Sequence, residues 1–300
     1  MTPSRNNLHL PAGTAAEGPF DVVVTAASAG WDYSGLSVLR LAPAGSVDLD
    51  TGGTELLVLA LEGSCTVTCD GVSLEVAGRS NVFEGPSDFV YVPRDSRVEV
   101  ASTAGGRFAL PSAVCERRLP LRHQPADAVP VELRGAGRAS RQVHNFCTPE
   151  AFETDRLIAC EVLTPGGNWS SYPPHKHDQA STTESVLEEI YYFEVAPGPA
   201  GPGIAYQRAY GHGDKEIDVL AEVRSDDVVL IPHGWHGPSM AVPGYDLYYL
   251  NVMAGPGETR AWLICDDPAH GWVRDTWADQ PVDPRLPFGP RREEERCPHG

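Results

Sequence analysis

The residues best suited to chemistry are histidines in the second half of the 300-residue chain. His175 and His177 are separated by a single residue in the run PPHKHD at 173–178. Alternate side chains of a β-strand point to the same face, so these two imidazoles would lie about 7 Å apart on one side of a strand. Neutral imidazole is a good ligand for Zn, Fe, Mn or Ni. The pair therefore predicts one half of a metal site.

A carboxylate ligand is expected from the segment that follows. The run LEEIYYF at 187–193 is typical of an aromatic strand that opens with two glutamates. Glu189 competes for the ligand role with Glu184, which lies in a polar segment, and with Glu188, which would face away from the metal. We favour Glu189, which shares a strand face with Tyr191.

A third imidazole is expected from a turn that follows an apolar strand at 228–231. The run PHGWHG at 232–237 holds both His233 and His236. His236 lies on the strand side of the turn and is the favoured ligand, with His233 beside it as a supporting group. Three imidazoles and one carboxylate around a divalent cation would leave the site positively charged, with coordination positions open for substrate oxygens.

The elements that must position these residues are short β-strands. Runs of β-type residues recur from about 21 to 122, and a second series runs from 157 to 265. Turn signals separate the runs; Asp70-Gly71, between two strand-like runs, predicts a tight hairpin. Many short strands with tight turns are typical of an all-β sandwich or barrel, and the design occurs twice.

The two strand series predict a division of the chain into three parts. We expect an N-terminal barrel and a connection at 123–150 within residues 1–150, a second barrel at 151–280, and a flexible tail at 281–300. The first series has no H-x-H run and no histidine between His9 and His123. We therefore expect metal ligands in the second barrel only.

Composition excludes several classes of protein. The chain is 41% hydrophobic and 21% charged, as in soluble globular proteins, and its net charge is −18. Nucleic acids and anionic membranes need basic patches, so neither is expected as a partner. No apolar run is long enough to cross a membrane, and the first thirty residues lack the layout of a signal peptide. With scattered cysteines, this predicts a cytoplasmic protein with reduced thiols.

Taken together, the motifs carry a family resemblance. An H-x-H pair, a later glutamate and a distant histidine after a Pro-x-Gly turn resemble the ligand order of cupin barrels. Over about residues 20–280 the sequence resembles, more narrowly, the bicupin family of 5-deoxy-glucuronate isomerases, related to the 4-deoxy-5-ketouronate isomerases. The segments that carry this likeness are GRSNVF at 78–83, YVP at 91–93, GRASRQV at 137–143, GGNWSSYPPHKHD at 166–178, LEEIYYF at 187–193 and PHGWHGP at 232–238.

The resemblance implies a fold and a reaction. The fold is all-β, with two double-stranded β-helix (jelly-roll) barrels in tandem. The reaction is the conversion of 5-deoxy-D-glucuronate to 5-dehydro-2-deoxy-D-gluconate in myo-inositol catabolism, which moves a carbonyl between C1 and C2 of a uronic acid. A divalent metal, with Zn²⁺ favoured over Mn²⁺ or Fe²⁺, would be held by His175, His177, Glu189 and His236, and would stabilise negative charge on oxygen.

The remaining site residues are expectations from residue type. An anionic substrate on an anionic protein needs a local cation, and Arg208 on the expected strand 204–210 is the first candidate for the carboxylate. Tyr248 and His233 are further candidates for substrate contact. Candidates for the proton shuttle are Tyr191, Glu184, Tyr248 and Asp246. A metal-assisted hydride shift is the alternative route and would need no such base.

Two other functions share parts of this pattern. An Fe(II)-dependent cupin dioxygenase would use the same ligands but would require O₂. A non-catalytic sugar-binding bicupin would bind without turnover. The bicupin order, the motifs and the acidic chain favour the isomerase. Bicupins commonly pair through edge strands, so the sequence leaves both a monomer and a homo-oligomer open.

Overall fold

The computed structural model describes residues 8–289, and these residues form 22 β-strands and little helix. The single α-helix of this range, Ala26–Ala29, is four residues long. The 3₁₀ segments are Val82–Glu84, Ala126–Ala128, Gly137–Ala139 and Gly271–Asp279. None of the helices in this range has the length and hydropathy that a bilayer crossing requires.

The strands of the first half build one barrel, apart from the first of them. They are β1 (His9–Leu10), β2 (Phe20–Val24), β3 (Ser34–Leu41), β4 (Gly45–Asp50), β5 (Thr54–Cys69), β6 (Val72–Arg79), β7 (Phe89–Val92), β8 (Arg97–Ser102), β9 (Gly106–Val114) and β10 (Arg122–Gln124).

The strands of the second half build the other barrel. They are β11 (Val131–Arg134), β12 (Arg141–Cys147), β13 (Ile158–Thr164), β14 (Trp169–Ser170), β15 (His175–Lys176), β16 (Glu188–Val195), β17 (Ala205–His212), β18 (Lys215–Val223), β19 (Val228–Ile231), β20 (Trp235–Ala241), β21 (Leu247–Ala254) and β22 (Cys265–Asp266).

The first barrel is a nine-stranded sheet that folds back on itself along β5. One end of β5 pairs with β7 and the other end pairs with β6 and β8. The sequence predicts a turn at Glu62-Gly63, but the strand continues through these residues as a bulge, with Gly63 at a φ of 86°. The expected hairpin at Asp70-Gly71 is present: both residues have positive φ, as a two-residue turn between twisted strands requires.

The second barrel is made of two sheets that face each other. One has the order β1-β19-β16-β21-β13-β12-β11, and the other has β18-β17-β20-β15-β22 with β14 beside β20. Strands β11 and β12 lie in the expected connection at 123–150, yet they complete the first of these sheets. Strand β1 crosses from the N-terminal end of the chain to pair with β19. The second barrel is therefore built from both halves of the chain.

Strand alternation sorts most of the apolar side chains into three large cores. The first barrel is filled by its own aliphatic residues, among them Val58, Val67 and Val100. A second core fills the inside of the second barrel around Tyr191 and Tyr249. The largest core lies between the barrels, where the outer face of the seven-stranded sheet packs against the first barrel. Neighbouring residues of one strand therefore pack into different cores, because their side chains point to opposite faces of the sheet.

The described part of the expected flexible tail is docked. Leu286 is buried, and the backbone N–H of Phe288 donates to Gln142 Oε1 at 2.6 Å. The backbone N–H of Asp283 donates to Ser140 Oγ at 3.0 Å, and its carboxylate accepts from Asn168 Nδ2 at 3.0 Å. These contacts correct the expectation of a loose tail for residues 281–289, while 290–300 lie outside the described residues.

Candidate active site

Three of the predicted ligands converge inside the second barrel. His177 Nε2 and His236 Nε2 each lie 3.0 Å from Glu189 Oε2. One ligand atom from each residue lies within 4.8 Å of the other two, and all three residues are buried. Within residues 8–289 this is the one group of three or more His, Cys, Asp or Glu side chains with such geometry.

Three strands and a turn position these side chains. Glu189 is the second residue of β16 and faces Ile231 of β19 across the ladder. His236 lies on β20, where its Cα is opposite that of His175. The turn before β20 contains Gly234 at a φ of 88°, a conformation that glycine adopts without strain. The turn brings the chain back so that His236 enters the barrel from the facing sheet.

Backbone carbonyls orient the imidazoles. The Nδ1–H of His177 donates to Leu187 O at 3.0 Å, and that of His236 donates to Gly234 O at 3.1 Å. A carbonyl can only accept, so Nδ1 carries the proton and Nε2 of the neutral ring holds a lone pair. Buried His236 Nε2 makes no hydrogen bond within the described structure. When both rings are neutral, their two Nε2 lone pairs and the Glu189 carboxylate oxygen fit a divalent cation placed between them.

His175 lies next to this cluster. Its ring centroid is 4.5 Å from that of His236, and its Nδ1–H donates to Pro173 O at 3.3 Å. The His177 ring also contacts His236, with centroids 4.7 Å apart. The intervening Lys176 points away and pairs with Asp178 and Glu184. Both histidines of the H-x-H run therefore lie on the same side of the chain as His236.

The charges of the cluster depend on one another. Burial disfavours the Glu189 carboxylate, but His236 and His177 outweigh burial and hold its pKa at about 2. Burial also disfavours the charged form of His177, but the hydrogen bond from its Nε2–H to Glu189 raises its pKa overall, and a bound metal would displace that proton. For His175, burial and then the neighbouring His236 lower the pKa well below its usual value. Neutral His175 and ionised Glu189 are the forms in which these groups bind metals.

A cavity of about 350 Å³ opens beside the cluster, a volume that suits a small metabolite. The side chain of Tyr191 lines it, and its Oη lies 3.0 Å from Ser171 Oγ. Burial, and then the charge of Glu189, raise the pKa of Tyr191 well above its usual value, so its hydroxyl is neutral. The residues that line the cavity are Arg134, Arg141, Val143, Val162, Ser171, His175, Glu189, Tyr191, Tyr249, Asn251, Trp262, Ile264, Asp266 and Arg274.

Three arginines form the cationic side of the cavity. Arg134 makes a bidentate pair with Glu132, and Arg274 makes one with Asp266. Arg141 is only 5% exposed and makes no ion pair with any residue of the 8–289 range. Its Nη1 donates to two backbone carbonyls instead.

The structure corrects the expectation for Arg208. The side chains of Ala205, Gln207 and Ala209 on β17 are buried in the barrel, so Arg208 between them points outward. There it pairs with Asp218 and donates to Val219 O at 2.9 Å. Arg208 has the right charge but lies on the wrong face of its strand.

His233 is also outside the cavity, at the surface end of the turn. Its Nε2 lies 3.3 Å from Glu216 O and does not reach the metal ligands. Asp246 lies outside the cavity as well, in a loop before β21, where it accepts the Gly166 N–H at 2.8 Å.

Tyr248 and Glu184 are buried but serve other contacts. Tyr248 faces the core between the barrels, where its Oη donates to Glu161 Oε1 at 2.8 Å, and the next residue, Tyr249, faces the cavity. Glu184 accepts from Lys176 Nζ at 2.7 Å and from the Asp178 N–H at 2.8 Å. Of the four predicted proton-shuttle residues, the structure places Tyr191 in the cavity.

The cavity residues that sequence reasoning missed come mainly from the expected connection. Arg134 and Arg141 lie on β11 and β12, and Arg274 lies in the 3₁₀ segment Gly271–Asp279. A signal for Arg141 was available, because it belongs to the run GRASRQV at 137–143 that carries the family resemblance. The same run falls in the expected connection at 123–150, so its side chains are not expected in a cavity.

Fold and site together define the class of this protein. It consists of two jelly-roll barrels in tandem, with a His, His, Glu cluster inside the second, and is a bicupin. The sequence matches the model of the KduI/IolB family over residues 8–273, and the chain belongs to this family.

Two similar proteins share one name. A protein of Geobacillus kaustophilus named 5-deoxy-glucuronate isomerase is 41% identical over 274 residues, which cover 90% of this chain and 96% of the relative. A protein of the same name from Bacillus subtilis strain 168 is 40% identical over 253 residues, covering 83% of this chain and 91% of the relative.

Solved structures support the fold. The crystal structure of an IolB-like protein from Salmonella typhimurium LT2 has a TM-score of 0.82 and 33% identity, covering 89% of this chain and 99% of that one. Oxalate decarboxylase of Lactobacillus farciminis has a TM-score of 0.61 at 12% identity, covering 87% of this chain and 88% of that one. The latter likeness concerns the fold alone.

Proposed function

We propose that this protein is a metal-dependent aldose–ketose isomerase that converts 5-deoxy-D-glucuronate into 5-dehydro-2-deoxy-D-gluconate in inositol catabolism. The observation that carries the proposal is the convergence of His177, His236 and Glu189 on one point beside an arginine-lined cavity. Membership of the KduI/IolB family and the name shared by the relatives support the substrate and the reaction. The dioxygenase and the non-catalytic binder have no comparable support.

The reaction needs charge stabilisation at one end of the substrate. A hydrogen leaves C2 and reaches C1 while the carbonyl moves from C1 to C2, and negative charge develops on oxygen along an enediol route. The residues that would hold the cation are His175, His177, Glu189 and His236. When bound, a divalent cation supplies positive charge beside those oxygens.

Tyr191 is the proposed proton-transferring residue. Its neutral hydroxyl lies in the cavity and forms a hydrogen bond with Ser171 Oγ at 3.0 Å. A neutral tyrosine donates a proton more readily than it accepts one, so Tyr191 would act on a substrate oxygen as that oxygen becomes negative. Burial excludes bulk water from this hydroxyl and strengthens its hydrogen bonds.

Several finer points belong to the same proposal. We infer that Zn²⁺ is the native metal, because imidazole-rich sites suit it, with Mn²⁺ or Fe²⁺ as alternatives. The partner is a small uronic acid, with neither nucleic acid nor membrane involved, and the protein works in the cytoplasm. We also propose that the protein forms homo-oligomers through exposed sheet edges.

The proposal is tested by reconstitution. Protein stripped of metal with a chelator is reloaded anaerobically with Zn²⁺, Mn²⁺ or Fe²⁺ and mixed with 5-deoxy-D-glucuronate, and product formation is followed by NMR. We expect conversion with at least one of these metals and none with the stripped protein. Conversion that requires O₂ would indicate a dioxygenase, and binding without conversion would indicate a non-catalytic bicupin.

A further inference from the structure

Arg141 is a buried cation without a counter-ion in the described structure. It is 5% exposed and lines the cavity, and its two hydrogen bonds run from Nη1 to Ala139 O at 3.1 Å and to Tyr172 O at 3.3 Å. Carbonyl groups orient a guanidinium but do not neutralise its charge. Buried charges in proteins are normally paired, because an unpaired one loses its hydration without compensation.

The two neighbouring arginines, Arg134 and Arg274, are already paired with carboxylates. The Nε and Nη2 groups of Arg134 are occupied by the two oxygens of Glu132, at 2.9 and 2.7 Å. Arg274 presents its Nε and Nη2 in the same way to Asp266. Each pair is close to neutral, so Arg141 carries the uncompensated positive charge on this side of the cavity.

The guanidinium of Arg141 is held in place. Its Cζ lies 5.5 Å from the ring centroid of Trp277, in a cation–π contact. Burial lowers its pKa to about 10, and Arg134 and Arg274 add to the lowering, so it remains charged at neutral pH. An oriented, charged guanidinium with free N–H groups is suited to a carboxylate, which it can bind through two parallel hydrogen bonds.

We propose that Arg141 binds the carboxylate of the uronic acid substrate and so places the opposite, aldehyde end of the substrate at the His177, Glu189 and His236 cluster. This inference rests on the proposed function and deepens it, because it assigns the anion-binding residue. It also gives Arg141 the counter-ion that residues 8–289 do not supply. The substrate is thereby oriented by charge at one end and by the metal ligands at the other.

The test compares two substrates in two variants. The substrates are 5-deoxy-D-glucuronate and its neutral counterpart, in which a CH₂OH group replaces the carboxylate. In Arg141→Met we expect kcat/KM for the uronate to fall about 100-fold, the scale of a hydrogen bond to a charged group, and that for the neutral aldose to change by less than about threefold. Arg141→Lys keeps the charge without the bidentate fork and should retain part of the preference for the uronate.

Two further measurements separate substrate binding from a structural role. Metal content should stay at the wild-type level, and the melting temperature of Arg141→Met should not fall, because the variant removes an unpaired buried charge. Arg208→Met, which removes a surface arginine, is the matched control and should keep the wild-type selectivity.

The inference also has a readout that does not depend on turnover. The probe is the reduced uronate, in which an alcohol replaces the aldehyde. Its binding is followed by the change in tryptophan fluorescence, to which Trp262 on the cavity wall and Trp277 beside Arg141 contribute. Arg141→Met should weaken this binding about 100-fold. If the wild type binds the probe but does not isomerise the uronate, the proposed function fails and the inference on Arg141 stands. Equal losses for charged and neutral substrates, or unchanged probe binding, would overturn the inference.

Discussion

At the scale of single residues, the orientation of two imidazoles decides what the site can do. Because the Nδ1–H groups of His177 and His236 donate to backbone carbonyls, their Nε2 lone pairs are directed to the same point. The two histidines of the 232–237 run therefore differ in where their side chains point. His236 faces inward, and His233 contacts Glu216 O at the surface.

This difference gives a matched pair of variants. His236→Ala should lose bound metal and lower kcat on the order of 1000-fold, since a metal at such a site contributes several kcal/mol to charge stabilisation. His233→Ala should keep both metal and activity. Metal content by mass spectrometry and turnover by NMR are the measurements. A metal-loaded, active His236→Ala protein would rule out the proposed ligand set.

Tyr191 supplies a second prediction at this scale. Tyr191→Phe removes the hydroxyl without changing the ring, so the loss of a proton donor should lower kcat about 10²- to 10⁴-fold with metal content unchanged. Tyr206→Phe is the control, because Tyr206 lies on β17 and its Oη contacts Glu222, 3.4 Å away. An unaltered kcat in Tyr191→Phe would mean that another group protonates the substrate oxygen.

Residue types and short spacings predicted the metal cluster but not the anion-binding side of the cavity. His177, Glu189 and His236 are recognisable because ligand chemistry needs few residue types at close spacing. Arg208 and Arg141 are chemically alike, and only the strand face distinguishes them. That face is fixed by packing of the whole barrel, which no local pattern specifies.

At the scale of elements, the sequence predicts where most strands lie but not which strands pair with each other. Alternating apolar residues and the Asp70-Gly71 signal located strands and a hairpin correctly. The bulge at Gly63 was interpreted as a turn because glycine is typical of both, and only pairing with β9 on one side and β6 on the other keeps β5 continuous. Strands β11 and β12 are not evident from local composition, because pairing defines them: β11 pairs with β12, and β12 pairs with β13 of the barrel.

The turn that carries His236 can be tested with two glycines. Gly234 and Gly213 both have positive φ, so alanine costs about 1–3 kcal/mol of backbone strain at either. At Gly234 an added Cβ would also lie 2.7 Å from Tyr210 O, and at Gly213 nothing lies within 4 Å. Gly234→Ala should therefore lower the melting temperature clearly more than Gly213→Ala, and should also weaken metal binding. Equal shifts of the melting temperature would show that the turn tolerates a side chain and does not position His236.

At the scale of the whole molecule, each barrel binds a loop of the other through a carboxylate. Glu55 of the first barrel accepts the backbone N–H groups of residues 155–157, at 2.6–2.9 Å. Glu188 of the second barrel accepts those of residues 32–34, at 2.8–2.9 Å. The reciprocal contacts and the shared apolar core join the barrels into one cooperative unit. They also explain why Glu188, a candidate ligand by sequence, is not in the cavity.

A buried ion pair crosses the same interface. Arg79 of the first barrel pairs with Glu161 of the second, which also accepts from His144 Nδ1 at 2.9 Å. Burial disfavours the Glu161 carboxylate, but Arg79 and His144 outweigh burial and lower its pKa from 4.5 to about 2. A depressed pKa stabilises the folded state at pH values above 4.5, and that stabilisation is lost as the pH falls from 4.5 to about 2. This pH-dependent contribution to the free energy of unfolding amounts to about 3 kcal/mol.

Replacing Glu161 with glutamine should therefore change both the stability and its pH dependence. At pH 7, Glu161→Gln leaves Arg79 buried without its counter-ion and should lower the free energy of unfolding by about 3–5 kcal/mol, measured with urea. The difference from wild type should shrink as the pH falls below 4.5, because the wild-type carboxylate then takes up its proton. Glu222→Gln, which breaks the exposed pair with Arg224, should cost less than about 1 kcal/mol at any pH. If Glu161→Gln behaved like this surface control, the Arg79–Glu161 pair would not be what couples the stabilities of the two barrels.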